Sequence, residues 1–160
     1  MRAATHAGPP GAMLERIVYV SRAAAGLGVE ALYGIVREAH ARNPAAGLTG
    51  GLVFIDGAFV QVLEGPPAPL AFAFGRIALD PRHGGLALRA REPALCRLFP
   101  GQALALRTRA CLDGGLLDAF GYRPGFPVAD FPSDVLVEFM VGACRREAAP
   151  RRDRERRAAR

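Results

Sequence analysis

The sequence contains no lysine, no tryptophan and little cysteine, so its 21 basic residues are all arginine. Its three cysteines, Cys96, Cys111 and Cys144, have no short spacing, which excludes a disulfide-stapled scaffold and any familiar zinc motif. The longest run without a charged residue, residues 43–55, has 13 members, whereas a membrane-spanning helix needs about 18 apolar ones. We therefore expect no membrane segment, no structural disulfide and no metal site.

The positive charge is concentrated at the C-terminal end. Residues 145–160 carry eight arginines and three acidic residues, a net charge of +5, which leaves +1 of the total +6 for residues 1–144. A basic tail could contact nucleic acid or anionic lipid, but a solvated chain end is the simpler interpretation. We expect residues 148–160 to be an Arg-rich disordered tail, and neither nucleic acid nor a membrane to be a partner.

The remaining composition is that of a single globular domain. The 160 residues are 51% hydrophobic and 22% charged, which is ordinary for a folded protein. Residues 1–12 contain no apolar segment of the kind found in signal peptides, so we expect a disordered extension there and a cytoplasmic protein.

The hydrophobic pattern predicts the element order β-α-β-β-α-β-β. Runs of β-branched and aromatic residues indicate strands, and apolar residues at helical spacing indicate helices. Asp56-Gly57 between two apolar runs is typical of a two-residue hairpin. The expected strands are residues 16–21, 52–55, 59–63, 86–92 and 102–107, and the expected helices are residues 30–42 and 70–79.

This order predicts an α+β fold, a ferredoxin-like βαββαββ sheet with two helices on one face. Two more helices, residues 112–120 and 133–145, are expected to cover the other face, which would otherwise expose its apolar side chains. We accordingly expect a sheet domain over residues 13–110 and a C-terminal helical cap over residues 111–147.

Common catalytic templates are missing from the sequence. It contains no phosphate-binding loop, no zinc-hydrolase helix and no serine-hydrolase elbow. Its histidines are far apart and do not form a recognisable ligand set. Cys96 has no obvious base partner and is predicted to be a small buried thiol.

Gln61 is a polar residue inside an apolar strand. In a split βαβ sheet the first and third strands are neighbours about 4.8 Å apart, so Gln61 and Tyr19 can lie side by side. A buried amide and a buried phenol need hydrogen-bond partners. They could simply satisfy each other in the core, or both could serve a polar ligand held between sheet and helices. Asn43 is either a third polar group that serves such a ligand or a helix C-cap before Pro44.

Several segments resemble the BLUF domain, a family of blue-light sensors that use flavin. Ile17-Val-Tyr-Val-Ser-Arg22 resembles its first strand. Residues 43–50, Asn-Pro-Ala-Ala-Gly-Leu-Thr-Gly, resemble its N-x-x-x-G-[IL]-T-G segment. Residues 59–65, Phe-Val-Gln-Val-Leu-Glu-Gly, resemble its F-x-Q-x-L-E-G strand, and the resemblance extends over roughly residues 14–109.

The resemblance implies a role for each candidate site residue. Tyr19 would donate an electron to the excited flavin, and Gln61 would hydrogen-bond both this tyrosine and the flavin edge. Asn43 would hold the flavin carbonyl, with Arg42 at the same edge. The other implied flavin contacts are Ile35 and Ile77, which would sandwich the ring, and Asp80, Arg82 and His83, which would meet the ribityl chain and phosphates.

A blue-light photoreceptor, and not an enzyme, is the function that the resemblance implies. The implied cofactor is FAD, with FMN or riboflavin as alternatives. A rearranged glutamine amide would give a red-shifted signalling state, passed to a separate downstream signalling protein by a homo-oligomer. The alternatives are a flavin-free ferredoxin-like ligand-binding module and a small acyl-phosphate-type hydrolase, which would need an anion cradle.

The chain departs from the family pattern on the fifth strand. Members often carry a tryptophan and a methionine there, whereas this sequence has Gln102 and Leu104 at the matching positions. Signal transfer through an exchange of that tryptophan and methionine is therefore excluded. The sequence leaves the output route open.

Overall fold

The computed structural model describes residues 13–123 and 127–144. Its strands are β1 (Leu14–Ala23), β2 (Thr49–Ile55), β3 (Ala58–Gly65), β4 (His83–Ala94) and β5 (Ala105–Thr108). Its helices are α1 (Val29–Arg42), α2 (Pro67–Ala78), α3 (Gly114–Ala119) and α4 (Ser133–Cys144). The predicted N-terminal extension, the Arg-rich tail and the predicted end of the last helix at Arg145 lie outside the described residues. Among the helices of the described ranges, none is long and apolar enough to cross a membrane.

The five strands form one sheet in the order β4-β1-β3-β2-β5. Neighbouring strands are antiparallel except β2 and β5, which are parallel. The predicted ferredoxin-like α+β fold is confirmed, with β5 as the added edge strand. The pairing of β1 with β3 sets Tyr19 directly opposite Gln61, as predicted.

The hairpin between β2 and β3 has the two-residue turn that the sequence predicted. Ile55 pairs with Ala58, and the two turn residues Asp56 and Gly57 have φ angles of 54° and 73°. Left-handed backbone at both positions matches the twist of the flanking strands, and aspartate and glycine adopt it at low cost. This turn fixes which residues of β3 face the helices.

Several predicted element boundaries were wrong. Helix α2 begins at Pro67, not after Pro69, because first-turn N–H groups have no partner within a helix and proline loses nothing there. Strand β5 begins at Ala105, so Gln102 lies in the preceding turn, where its N–H bonds the Phe99 carbonyl. The short α3 also departs from the predicted residues 112–120, because Asp113 is extended and the helix begins after it.

The sheet separates two apolar layers. On one face the buried side chains of β2 and β3 pack against α3 and α4 in a single cluster that includes Phe131, Leu136, Phe139 and Met140. On the other face lie two separate clusters, one with Leu70 of α2 and one with Leu32 of α1. A cleft therefore remains between α1 and α2, above the middle of the sheet.

Arg89 fastens the edge strand β4 to the chain that leads into α4. The register between β1 and β4 shifts between Val18 and Tyr19, which leaves Arg89 as the extra residue of a bulge. Its guanidinium donates to the carbonyls of Ala129 and Phe131, both at 2.6 Å, and its own carbonyl accepts the Ser133 hydroxyl at 3.0 Å. The strand beside Tyr19 is thus connected directly to the C-terminal cap.

The prediction of a buried Cys96 was wrong. Cys96 is exposed in the loop after β4, whereas Cys144 of α4 is buried against the sheet. Ala94 and Phe99 fill the core on either side of this loop, whereas Leu95 and Cys96 between them face outward.

Gly51 lets α4 lie close to β2, and its replacement by alanine is expected to destabilise the fold. An added Cβ would lie 2.7 Å from Cys144 Sγ and 3.0 Å from Phe99 Cε1. Overpacking of this kind in a filled core costs about 1–3 kcal/mol. Urea unfolding of Gly51→Ala measures this loss of free energy of unfolding.

Gly75→Ala provides a matched control. A Cβ at Gly75, in α2, meets nothing within 4 Å, so alanine should stabilise that helix by about 0.5–1 kcal/mol. Equal unfolding free energies for the two variants would contradict the close packing of α4 on β2.

Candidate functional site

A pocket of about 510 Å³ occupies the cleft between α1 and α2. Its volume lies in the range of about 300–1,000 Å³ typical of small-molecule sites. All nine site residues predicted from the sequence line it, although they come from β1, β3, α1 and its C-cap, α2, the turn after α2 and the start of β4. They are Tyr19, Ile35, Arg42, Asn43, Gln61, Ile77, Asp80, Arg82 and His83.

Tyr19 and Gln61 form the floor of the pocket. The Tyr19 hydroxyl donates a hydrogen bond to Gln61 Oε1, and both residues are buried. In the described part of the chain the amide nitrogen Nε2 of Gln61 has no side-chain partner. One end of the amide is therefore held by the phenol, while the other end can donate to a ligand.

Burial raises the pKa of Tyr19 well above the ordinary value near 10, and the charge of Asp80 raises it further. The phenol therefore keeps its proton at neutral pH, as a hydrogen-bond donor to Gln61 requires. The pKa of Tyr19 is higher in the folded protein than in the unfolded chain. Its contribution to the free energy of unfolding is therefore fully present below about pH 10 and is lost as the pH rises toward the pKa of the folded state.

Asn43 and His40 connect the end of α1 to the chain that leads into β5. Asn43 Nδ2 donates to the Ala103 carbonyl at 2.7 Å, and His40 Nε2 lies 2.9 Å from the Leu104 carbonyl. Asn43 also occupies the C-cap position, so it is both a cap and a pocket residue. Its Oδ1 can still accept, and its second Nδ2 hydrogen can still donate, a hydrogen bond at the edge of a ligand.

Apolar side chains form the walls of the pocket. Ile35 projects from α1 and Ile77 from α2, and Leu52, Phe59 and Leu104 complete the apolar surface. Leu104 is buried with Leu52 and Phe59. Apolar walls on two helices with amides at the base suit a flat aromatic ligand that has a polar edge.

His83 supplies a polar atom without a protein partner. Its Nε2 lies 2.8 Å from the Ile77 carbonyl, while its Nδ1 is buried and unpaired in the described residues. The ring packs near Tyr19 and Phe59, with centroid distances of 6.3 and 6.1 Å. A buried nitrogen left unpaired at a pocket wall is costly unless a ligand completes it.

Glu38 is a pocket residue that the sequence analysis missed. It reaches from α1 across the pocket entrance and accepts two hydrogen bonds from Arg82, each 3.0 Å long. Its position three residues after Ile35 and four before Arg42 places it on the same helix face. That spacing is the signal by which it could have been found.

A family model described as sensors of blue-light using FAD matches residues 14–105. The chain belongs to the BLUF family. Curated relatives include the photoactivated adenylate cyclase subunit beta of Euglena gracilis, 34% identical over 89 residues, which are 56% of this chain and 10% of that protein. The subunit alpha of the same organism is 39% identical over 67 residues, 42% of this chain and 7% of that protein. The BLUF chain thus spans about a tenth of the length of these relatives.

Solved BLUF structures resemble this chain over most of its length. BlrB, a BLUF protein in its dark state, is 27% identical with a TM-score of 0.68, and the match covers 82% of this chain and 94% of BlrB. BlsA in its photo-activated state has a TM-score of 0.75 at 22% identity, covering 84% of this chain and 97% of BlsA, which is a likeness of fold.

Proposed function

We propose that this BLUF protein is a blue-light photoreceptor in which the Tyr19–Gln61 pair is the switch. The observation that carries this proposal is the buried hydrogen bond between the two side chains at the floor of the pocket. Family membership supports a flavin as the ligand of that pocket. No feature of the described residues favours the flavin-free binding module or the acyl-phosphate-type hydrolase instead.

The residues present fit a bound flavin. Ile35 and Ile77 offer apolar surface for the two ring faces, and the amides of Asn43 and Gln61 offer donors and acceptors for the ring edge. The unpaired Nδ1 of His83 is a further polar contact for the ligand. Arg42 is proposed to bind the same edge, and Asp80, Arg82 and His83 the ribityl chain and phosphates. We propose FAD as the cofactor, with FMN and riboflavin as the alternatives.

A flavin bound in this pocket would supply the absorption of blue light and, in its excited state, an acceptor for an electron. Tyr19 is proposed to give that electron and its phenolic proton, the proton passing through Gln61 because the hydroxyl already donates to Oε1. Both return to Tyr19 while the Gln61 amide is left rearranged, so the cycle consumes no substrate. The amide has two ends of opposite hydrogen-bonding character and is therefore a two-state element.

The output is proposed to reach a separate signalling protein. Two relatives are named as subunits of photoactivated adenylate cyclases, and this chain matches 10% of the beta subunit and 7% of the alpha subunit. As the family resemblance implies, we propose that the BLUF domain is a light sensor and not an enzyme, and that it acts on an effector as a homo-oligomer. The cytoplasmic location, the oligomeric state and the disordered termini stay predictions.

Absorption spectroscopy of the purified protein with flavin tests the proposal. We expect a flavin spectrum that shifts slightly to the red after blue light and reverts in the dark. Tyr19→Phe should bind flavin yet lose the reversible shift and show stronger flavin fluorescence, since the electron donor that quenches the excited state is gone. Tyr33→Phe is the matched control, because Tyr33 is half-exposed on α1 and does not line the pocket.

Two outcomes would contradict the proposal. If the wild-type protein binds no flavin even after reconstitution, the pocket serves another ligand. If Tyr19→Phe keeps the full reversible shift, the phenol is not the switch partner of Gln61.

A further inference from the structure

Three charged side chains close the entrance of the pocket, and we call them the entrance cluster: Glu38, Asp80 and Arg82. Arg82 and Asp80 belong to the turn after α2, whereas Glu38 belongs to α1. The cluster therefore bridges the two helices that carry Ile35 and Ile77. A ligand tail that leaves the pocket between α1 and the turn after α2 would meet this cluster.

The Arg82 guanidinium has little capacity left for another anion. Nε donates to Asp80 Oδ1 at 2.9 Å, and NH2 donates to Asp80 Oδ2 at 2.6 Å. NH1 and NH2 each donate to Glu38 at 3.0 Å. These contacts occupy four of the five N–H bonds that a guanidinium has. Hydrogen bonds from Arg82 also lower the pKa of both carboxyl groups, so both stay ionised at neutral pH.

Glu38 is the more replaceable of the two carboxylates. Asp80 also accepts the backbone N–H of Arg82 at 2.9 Å, so it is part of the local turn. Glu38 is nearly half-exposed, with 46% of its side chain accessible, and it lies 44 residues from Arg82 in sequence. An incoming phosphate that binds Arg82 would displace Glu38 before Asp80.

Glu38 also neutralises a second cation at the entrance. Its Oε2 lies 3.6 Å from Arg42 NH1, one helical turn away. The lining side chains include three arginines, Arg42, Arg76 and Arg82, against the two acids Glu38 and Asp80, which is a net charge of +1. Without the charge of Glu38 the same surface would carry +2 and would attract phosphate more strongly.

We propose that Glu38 tunes the flavin specificity of the pocket, by lowering its affinity for flavins that carry a phosphate relative to riboflavin. Riboflavin has a neutral tail, FMN ends in a phosphate monoester, and FAD carries a diphosphate. The carboxylate of Glu38 repels the phosphate of FMN and the diphosphate of FAD, and it competes with these groups for Arg82 and Arg42. This proposal rests on the flavin pocket of the proposed function and adds a specificity-determining residue to it.

Dissociation constants of riboflavin, FMN and FAD for the full chain test this proposal, measured by the quenching of flavin fluorescence. Glu38→Gln should tighten FMN and FAD relative to riboflavin by about fivefold, because charge-assisted hydrogen bonds become available to the phosphate. Glu30→Gln changes the net charge equally on the first turn of the same helix, outside the pocket lining. It should leave the ratio unchanged, since distant exposed charges are screened.

The outcomes separate this inference from the proposed function. If all three flavins bind the wild type and Glu38→Gln leaves their relative affinities unchanged, Glu38 has no role in specificity although the flavin site stands. If no flavin binds the wild type, the proposed function itself fails. Glu38→Ala removes the remaining hydrogen bond to Arg82 as well, and an equal or larger preference for phosphate in that variant would support the proposal.

Discussion

Replacing Gln61 by leucine is expected to abolish the light-induced absorption shift while flavin stays bound. Leucine fills a similar volume but has neither a donor nor an acceptor, so the Tyr19 hydroxyl loses the Oε1 acceptor it has now. The proton of Tyr19 then has no path toward the flavin edge, and no amide is left to rearrange. Difference spectra recorded before and directly after blue light measure the effect.

The other glutamine of the chain supplies the control for this experiment. Gln102 lies in the turn before β5 and does not line the pocket. Gln102→Leu makes the same chemical change and should keep the reversible shift. If Gln61→Leu keeps the light-induced absorption shift, or if Gln61→Leu and Gln102→Leu lose it alike, Gln61 would not be the specific switch residue.

Glu64→Ala is expected to cause a large loss of stability. The Glu64 side chain is fully buried on β3, where Oε1 accepts the Phe99 N–H at 2.8 Å and Oε2 accepts the Leu98 N–H at 3.0 Å. Oε1 also accepts the Thr49 hydroxyl at 3.0 Å, and Oε2 lies 3.4 Å from NH2 of the nearly buried Arg16. Alanine leaves these donors without their acceptor, and breaking a buried charge pair of this kind typically costs about 3–5 kcal/mol.

Glu92→Ala is the control for this loss of stability, because it also removes a carboxylate near Arg16 but leaves the buried Glu64 network intact. Glu92 Oε1 lies 3.5 Å from Arg16 NH1, but its side chain is 52% exposed, so its removal should cost less than about 1 kcal/mol. Urea unfolding of the two variants gives both values. Similar free energies of unfolding in Glu64→Ala and Glu92→Ala would show that the buried network is not what secures the loop after β4.

The loop secured by Glu64 also carries part of the pocket. Residues 98 and 99 bond the Glu64 carboxylate, and a few residues later the Ala103 carbonyl accepts Asn43 while Leu104 lines the pocket. We therefore expect Glu64→Ala to weaken flavin retention as well as the fold. Gln61 and Glu64 lie three residues apart on β3, so one strand carries both the switch and the anchor of the loop.

The central part of the site followed from local sequence patterns. The two-residue period of a strand, the Asp56-Gly57 turn and the order of the elements are enough to place Tyr19 beside Gln61. Helical spacing placed Ile35 on α1 and Ile77 on α2, and the BLUF resemblance implied that both face the ligand; both line the pocket. Backbone geometry follows from neighbours in the chain, and for that reason these residues could be predicted without a structure.

The partners of the charged side chains were decided by the tertiary structure. Arg82 bonds Glu38 across 44 positions of sequence, and Glu64 bonds the Leu98 N–H across 34. The exposure of Cys96 likewise reversed the expectation of a buried thiol. Strand and helix propensities act between adjacent residues, whereas a long side chain selects its partner only after loops far apart in sequence have been packed together.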